Sequence, residues 1–217
     1  MQIPARFNGP PGSGNGGWSA GAFAVDTGSD GVLAVTLRSP PPLDTPITRS
    51  DGTFHAPDGT LVASVEPAAD PGDPVPPVRY DEAAAAARNY PGFLSHPFPT
   101  CYVCGPDRPD GLRLFLGVLP DGRTAAPWTV PADVRTETMW AALDCPGGWS
   151  ALHSGRTFVL GRIAARVDAL PSPGASCVVV GVADGLSGRK AFTRSTVYGP
   201  DGAPLATARA TWIEVPR

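Results

Sequence analysis

The sequence lacks long apolar runs and an excess of charge of either sign. No stretch approaches the roughly 20 apolar residues that cross a bilayer, and the first residues lack the charged and then apolar segments of a secretory signal. We therefore expect a cytoplasmic protein with no membrane partner. The 17 Lys and Arg residues are balanced by 20 Asp and Glu residues. No basic stripe is available to neutralise phosphates, so nucleic acid is not expected as a partner either.

Cysteine is also scarce, with four residues at positions 101, 104, 145 and 177. Without a secretory signal, these are expected to be reduced thiols rather than a disulfide framework. The pair Cys101 and Cys104 has the spacing of one half of a zinc site, but no second pair follows. His96, Cys145 and His153 are candidates to complete a site, although none has a characteristic spacing. A redox pair would need a strand-to-helix setting that is absent here. These patterns favour buried structural thiols and no metal.

Glycine and proline are abundant, with 26 and 27 residues, while 42% of the residues are hydrophobic. This composition indicates a globular protein rich in turns. Residues 71–98 form a Pro- and Ala-rich segment that predicts an extended, semi-rigid linker carrying one short helix. The linker separates an N-terminal half, residues 1–70, from a C-terminal half, residues 99–217.

The two halves share one order of predicted elements, a helix followed by strands joined at turns. In the first half, small residues predict a helix over residues 18–24 with Asn15 as its N-cap. Strands are predicted at residues 32–37, 47–49 and 61–65. In the second half, a hairpin (112–116 and 124–130) and a helix (133–143) precede strands at 160–170, 175–183, 189–198 and 205–215. This layout is α+β, with an antiparallel sheet laid on buried helices.

Three motifs resemble the hotdog-fold thioesterases. The segment Cys101-Tyr-Val-Cys-Gly-Pro-Asp-Arg-Pro-Asp-Gly-Leu-Arg-Leu114 is similar to the opening of many such domains. Ala141-Ala-Leu-Asp144 resembles the helix segment that holds the family's catalytic acid, and Asn15-Gly-Gly17 resembles its His-Gly-Gly helix start. The resemblance implies a double hotdog, in which each half is an antiparallel β-sheet wrapped around a central helix. It also implies hydrolysis of an acyl thioester, with coenzyme A as part of the substrate and no separate cofactor.

The same resemblance implies one composite site between the halves. In the family, an acid on one helix faces the helix-start glycines of the partner domain. Nine residues after Asn15 the first helix has Ala24 instead of an acid, and nine residues before Asp144 the second half has Arg135. We therefore expect Asp144, Gly16 and Gly17 to form one working site, while Arg135 and Ala24 mark a site that has lost its chemistry.

Ester chemistry suits such a site, because free amides at a helix start polarise a carbonyl and a carboxylate attacks it or activates water. Gly16 and Gly17 are expected to supply the amides and Asp144 the acid. Asn15, Trp18, Trp140 and Trp149 are predicted to contact the substrate, an aromatic or medium-chain acyl group being the expected class. Core packing is the alternative for the tryptophans. Pro146, Gly147 and Gly148 are expected to bend or end the helix just past the acid.

Other interpretations remain open at this point. An Asp144 and His153 pair is suggestive of the related hotdog dehydratases, although its spacing is longer than theirs. Arg156, Arg162 and Arg166 are candidates for the coenzyme A phosphates, the alternative being a solvated strand face. The whole chain is alternatively a non-catalytic module that binds an acyl or other apolar ligand. Association of such pseudo-dimers through sheet edges into a homo-oligomer is a further possibility.

Overall fold

The computed structural model describes residues 1–152 and 156–215, which form an α+β structure. The helices are α1 (Gly16–Thr27), α2 (Tyr80–Ala87) and α3 (Thr136–Ala151), with short 3-10 helices at Ala5–Phe7 and Pro91–Phe93. The strands are β1 (Leu33–Leu37), β2 (Thr48–Ser50), β3 (Thr53–His55), β4 (Leu61–Pro67), β5 (Gly117–Val118), β6 (Thr124–Thr129), β7 (Thr157–Val167), β8 (Ser176–Ser187), β9 (Lys190–Tyr198) and β10 (Pro204–Val215). No helix in these ranges has the length and hydropathy that a membrane crossing requires.

The described strands form one ten-stranded antiparallel sheet in the order β2-β3-β4-β1-β7-β10-β9-β8-β6-β5. The first four strands in the sequence occupy one end of the sheet and the last six occupy the other. They join where β1 pairs with β7, with Leu33 opposite Ala165. Helices α1 and α3 pack on each other and on the sheet, so the core of the molecule lies between the two helices and the strands.

The first helix follows the prediction closely. The side chain of Asn15 caps α1 by accepting a hydrogen bond from the Trp18 amide at 2.8 Å. This cap satisfies an amide that the helix itself leaves without a partner. The helix ends at Gly28, which has a φ of 65° and the left-handed conformation that glycine adopts easily. Helix α1 therefore extends three residues beyond its predicted end.

The second long helix does not end where its sequence suggests. Helix α3 continues through Pro146, Gly147 and Gly148 to Ala151. Of the bend or end expected just past Asp144, the end is therefore wrong. Pro146 has no amide to donate to the Ala142 carbonyl one turn earlier, and hydroxyl groups of the sheet hydrogen-bond to other carbonyls of the same helix. The Ser195 hydroxyl donates to the Leu143 carbonyl at 2.6 Å, and the Thr124 hydroxyl donates to the Pro146 carbonyl at 2.8 Å.

The glycines of this segment let the helix approach the sheet closely. A Cβ atom at Gly147 would lie 2.4 Å from the Thr193 hydroxyl, and one at Gly148 would lie 2.6 Å from the Trp212 ring. Both distances are shorter than real contacts of this kind. The Pro-Gly-Gly sequence therefore reflects close packing of α3 against the strands rather than a helix end.

The Pro-rich segment does more than separate the two halves. Val75, Val78 and Ala83 are buried in a second apolar cluster with side chains of β6 and β8. Alternate residues of β8 point to opposite faces, since Val178 belongs to this cluster and Val179 to the main core. The segment with α2 therefore covers the face of the sheet opposite α3, where the sequence alone predicted a spacer.

One predicted strand is wrong, and one observed strand was not predicted. Residues 112–116 were expected to form a strand, but the strand begins only at Gly117. Arg113 has a φ of 55°, which interrupts an extended conformation, and the amides of Leu112 and Leu114 donate to the carbonyls of Tyr102 and Val103 instead of a neighbouring strand. Strand β3, which has three residues and pairs with β2 and β4, was not predicted.

Helices α1 and α3 come close together because two glycines one turn apart face α3. A Cβ at Gly17 would lie 2.5 Å from the Asp144 Cβ, and one at Gly21 would lie 2.8 Å from the Trp140 Cβ and 2.9 Å from the Glu137 Cα. The backbone of α1 thus contacts α3 directly.

This contact predicts that Gly21→Ala destabilises the protein, although alanine favours helices. The added methyl group must displace the α3 backbone, which costs about 1–3 kcal/mol of unfolding free energy. Urea denaturation measures the change. Val25→Ala, a truncation on the half-exposed side of the same helix, is the control and is expected to change stability by less than about 0.5 kcal/mol. Equal stabilities of the two variants would contradict the close contact.

Candidate functional site

The cavity that Asp144 lines, called the main cavity below, lies where the start of α1 meets α3. Its volume is about 490 Å³, within the range of roughly 300–1,000 Å³ that small-molecule sites occupy. The rest of its wall comes from strands β7 and β10, from residues within 9–14 and 37–41, and from the irregular segment before β5 (residues 94–116). Most of the wall is apolar, including Leu37, Phe98, Trp149, Phe158, Leu160 and Trp212. Asn15, Gly16 and Asp144 are among its polar or small lining residues.

The carboxyl group of Asp144 is held by groups from the other helix. Asp144 is 2% exposed, and its Oδ2 accepts hydrogen bonds from the Gly17 amide and from Asn15 Nδ2, both at 2.9 Å. Its Oδ1 is buried and has no hydrogen-bond partner among the described residues. The acid from the second half of the chain and the helix-start residues from the first half therefore meet in one cavity.

The environment of this carboxyl group favours its neutral form. Burial raises the pKa of Asp144 to about 7, opposed by the hydrogen bond from the Gly17 amide. The nearby Cys101 raises this pKa further and the Asn15 side chain lowers it. Burial disfavours a charge because it removes water. A carboxyl group with this pKa is partly ionised near neutral pH and still accepts a proton readily.

The amides of the two helix-start glycines differ in their hydrogen bonds, although both were expected to be free donors. The Gly17 amide is engaged by Asp144, so it is not free to polarise a carbonyl group as well. The Gly16 amide finds no acceptor in the part of the chain that the structure describes, and Gly16 lines the cavity. Gly16 therefore presents the open amide at the positive end of α1, whereas Gly17 orients the acid.

Asn15 connects the helix start to the acid. Its Oδ1 caps α1 through the Trp18 amide, while its Nδ2 donates to Asp144 Oδ2 and lies 3.8 Å from the Cys101 sulfur. The two ends of one amide thus fix α1 and the carboxyl group relative to each other. Sequence analysis placed Asn15 in the site, but it did not predict this double role.

Of the three tryptophans predicted to contact the substrate, Trp149 lines the cavity. Trp18 is absent from its wall and stacks on Phe7 with ring centroids 3.9 Å apart. Trp140 packs against Gly21 of α1. Trp18 and Trp140 are 3% exposed and belong to the core, because their positions on the helices point away from the cavity.

A second cavity of about 500 Å³ lies near the other ends of the two long helices. Ala24 and Thr136 line it. When the starts of α1 and α3 are aligned, Ala24 of α1 corresponds to Asp144 of α3, and Thr136 of α3 corresponds to Gly16 of α1. Trp140 is also in its wall. Arg135, expected here, is not in the lining; its guanidinium lies 5.6 Å from the Trp18 ring centroid and pairs with Glu137. This cavity has no acid at the position equivalent to Asp144.

Three thiols lie beside Asp144 in the main cavity. Cys101, Cys104 and Cys145 are buried and line its wall. Burial raises the pKa values of the Cys104 and Cys145 thiols well above their usual range. Hydrogen bonds with these two thiols hold the pKa of the Cys101 thiol well below its usual range, although burial opposes this shift. All four cysteines of the chain are unpaired by disulfides. His153 falls outside the described residues, so its pairing with Asp144 stays a prediction.

Comparisons with solved structures identify the fold. A protein from Novosphingobium aromaticivorans DSM 12444, which carries a provisional thioesterase assignment, aligns with 100% of this chain and 94% of its own, at 16% identity and a TM-score of 0.65. A protein of unknown function with a hot dog fold from Alicyclobacillus acidocaldarius aligns with 100% and 92% of the chains, at 14% identity and a TM-score of 0.53. The chain has a hotdog fold.

The other comparisons add little to this assignment. The chain spans only 61% of the length of a thioesterase superfamily protein with which it shares 19% identity over 54% of its own length, at a TM-score of 0.47. No family model matches the sequence, and no curated protein is significantly similar to it.

Within this hotdog fold, the arginines proposed for coenzyme A phosphates are already paired with carboxylates. Arg156 pairs with Glu214, Arg162 with Glu66 at 2.7 Å, and Arg166 with Asp168 and Asp70.

Another arginine lines the main cavity but was not among the predicted site residues. Arg38 directly follows β1, is exposed, and lines the main cavity without an ion pair among the described residues. A cation just after a strand is common on any sheet, so no sequence signal singled it out.

The double role of Asn15 predicts that Asn15→Ala destabilises the protein by about 2–4 kcal/mol, the sum of a lost N-cap and a lost donor to a buried carboxyl group. Urea denaturation gives this value. Asn89→Ala, which changes an exposed residue beyond α2, serves as the control and should cost less than about 0.5 kcal/mol. A similarly small loss for Asn15→Ala would show that the hydrogen bonds of its side chain contribute little.

Proposed function

We propose that the protein is an acyl thioester hydrolase that acts on acyl-CoA at one composite active site. The observation that carries this proposal is the placement of Asp144 and the Gly16 amide in one apolar cavity. The Gly17 amide and the Asn15 side chain hold the carboxyl group there at 2.9 Å. A carbonyl-polarising donor, an oriented acid and an apolar pocket are the parts that thioester hydrolysis needs.

The chemistry follows from these groups. The open Gly16 amide, at the positive end of α1, donates to the thioester carbonyl oxygen as negative charge develops on it. Asp144 Oδ1, which none of the described residues hydrogen-bonds, then has two available roles. It attacks the carbonyl carbon, releasing the CoA thiolate and leaving an acyl anhydride for water to hydrolyse. Alternatively it takes a proton from the water molecule that attacks the carbonyl carbon, after which the C–S bond of the tetrahedral intermediate breaks and the CoA thiolate leaves.

The apolar cavity supports an acyl group of aromatic or medium-chain size. Phe98, Trp149, Phe158 and Trp212 provide flat walls close to Asp144, and burial of such a group contributes binding energy in proportion to its apolar area. The thioesterase assignment of the Novosphingobium aromaticivorans protein points to the same class of reaction.

The sheet consists of two hotdog units in this proposal. The first comprises α1 and β1 to β4, the second comprises α3 and β5 to β10, and β1 pairs with β7 where they join. One unit supplies the open amide and the other supplies the acid. The second cavity, with Ala24 and Thr136 at the corresponding positions, is the site that has lost these groups. The chain thus functions as a pseudo-dimer with a single active site.

The test is hydrolysis of a panel of aromatic and medium-chain acyl-CoA thioesters, measured by release of the CoA thiol. Asp144→Asn keeps the size of the side chain and removes its ability to attack or to take a proton, so kcat/KM should fall at least about a hundredfold. The matched control is Asp133→Asn, an exposed carboxyl near the start of α3, which should retain activity within about twofold.

The result that would overturn the proposal is the absence of turnover by the wild-type protein on every thioester of the panel. Saturable binding of an acyl ligand without turnover would instead identify a non-catalytic binding module. Full activity of Asp144→Asn, with its fold confirmed by circular dichroism, would also refute the assigned site.

Arg38 generates a separate prediction, because it lines the cavity and has no ion pair with any residue that the structure describes. If it contacts a phosphate of coenzyme A, Arg38→Ala should raise KM about tenfold for acyl-CoA, consistent with loss of one charge-assisted hydrogen bond. The KM for the matching acyl-pantetheine, which has no phosphate, should not change. Arg162→Ala, which removes an arginine paired with Glu66, is the control. An equal effect on both substrates would contradict phosphate contact.

A further inference from the structure

The three cysteines in the main cavity form a compact cluster. Cys101 and Cys104 come from the irregular segment before β5, and Cys145 comes from α3 directly after Asp144. Their sulfur atoms all lie within 4.8 Å of one another, and the three residues are 3–6% exposed. Thiolates around one tetrahedral Zn²⁺, each about 2.3 Å from the metal, lie at a similar spacing.

The backbone around the first two cysteines forms a tight turn. The Gly105 amide donates to the Cys101 carbonyl at 2.9 Å, and a Cβ at Gly105 would lie 2.5 Å from the Cys101 amide nitrogen. Only glycine fits at this position. Two cysteines separated by two residues are a common half of a structural zinc site, and this turn directs both sulfurs towards α3, where Cys145 supplies the third.

Polar side chains point at the sulfurs from outside the cluster. His96 Nδ1 accepts a hydrogen bond from the Phe98 amide at 2.8 Å, so a neutral imidazole has its proton on Nε2. That Nε2 lies 3.4 Å from the Cys104 sulfur, and Asn15 Nδ2 lies 3.8 Å from the Cys101 sulfur. Both groups are placed to donate hydrogen bonds, which stabilise sulfur in its anionic form.

Cys177 provides an internal comparison. It is fully buried in β8 within the main apolar core, and no hydrogen-bond donor contacts its sulfur in the described part of the chain. A buried cysteine of this kind serves as a small apolar residue. The clustered cysteines differ from it in having neighbouring sulfurs and polar donors, both of which are typical of metal-bound thiolates and their outer shell.

We infer that Cys101, Cys104 and Cys145 bind one Zn²⁺ ion as thiolates, with His96 and Asn15 as outer hydrogen-bond donors. The soft sulfur ligands favour zinc over the oxygen-preferring cations. All three cysteines line the cavity, so a zinc ion has an entry path, and its fourth position faces the cavity and takes a water molecule. The ion would tie the irregular segment before β5 to α3 beside Asp144. This inference does not depend on the proposed hydrolase activity.

The first experiment measures metal in the whole protein, purified under reducing conditions and reconstituted with Zn²⁺, by mass spectrometry of the metal after removal of excess zinc. We expect about one zinc per wild-type chain and a loss of at least about tenfold in zinc content for Cys104→Ser and Cys145→Ser. Cys177→Ser, which removes a buried thiol outside the cluster, should retain the zinc. A wild-type chain without zinc, a chain isolated with iron, or equal loss in Cys177→Ser would overturn the inference.

X-ray absorption at the zinc edge of the wild-type protein tests the ligands without any variant, so a failure of the cysteine variants to fold would leave the test intact. The spectrum should show three sulfur ligands at about 2.3 Å and one oxygen or nitrogen ligand at about 2.0–2.2 Å. A shell without sulfur, or a disulfide between Cys101 and Cys104 in the zinc-treated protein, would refute the site.

The hydrogen bond from His96 to the Cys104 sulfur is tested by the affinity of the protein for zinc. His96→Ala should weaken zinc affinity about 10- to 100-fold in competition with a chromophoric chelator, while the three-sulfur shell in the absorption spectrum is unchanged. His55→Ala, which removes a histidine on β3 outside the cavity wall, is the control. Complete loss of zinc from His96→Ala, or an unchanged affinity, would contradict this role.

Discussion

The close approach of α1 and α3 is the constraint on which the candidate site depends. Gly17 allows the two helices to touch, since a Cβ there would lie 2.5 Å from the Asp144 Cβ. The same absence of a side chain brings the Gly17 amide within 2.9 Å of the Asp144 carboxyl group. One glycine therefore serves both packing and electrostatics: it lets the helices meet and gives the buried acid a donor. A buried carboxyl group without such donors would be far more costly.

The cavity wall is assembled from elements that are distant in the sequence. Helix α3 passes close to the sheet because Gly147 and Gly148 face the strands without side chains, and Ser195 and Thr124 supply hydrogen bonds to its carbonyls. This support keeps Asp144 and Cys145 in a continuous helix. Asp144, the acid of the proposed hydrolase, and Cys145, the third ligand of the proposed zinc site, are consecutive in the sequence and therefore lie on the same helix.

Asn15 links these features. Its amide caps α1, donates to Asp144 and approaches the Cys101 sulfur. The start of α1, the acid and the thiol cluster are thus parts of one polar network within an apolar cavity. Polar networks of this kind are stable only when their groups have partners. Among the described residues, the Gly16 amide and Asp144 Oδ1 are the members of this network without a hydrogen-bond partner.

Much of the architecture was predictable from the sequence. The cap at Asn15, the order of helix and strands, the turns at glycine and the placement of Asp144 opposite the start of α1 were all expected, because they depend on local chemistry or on recurring motifs. The errors arose where packing overrides local preference. Pro146 does not end α3, which continues through Gly147 and Gly148 in close contact with the strands. Residues 112–116 are not a strand because the amides of Leu112 and Leu114 bond to the Cys101–Cys104 turn.

What the sequence by itself determined is the set of local elements and the residue types at the helix start and in α3. Only the tertiary structure decided the individual contacts that these residues make. It assigned Gly17 to the acid and left the Gly16 amide open, placed Trp18 and Trp140 in the core, and brought Cys145 to a cysteine pair more than 40 positions away. The physical reason is that these contacts depend on how closely two helices pack across the sheet, a distance set by many residues together.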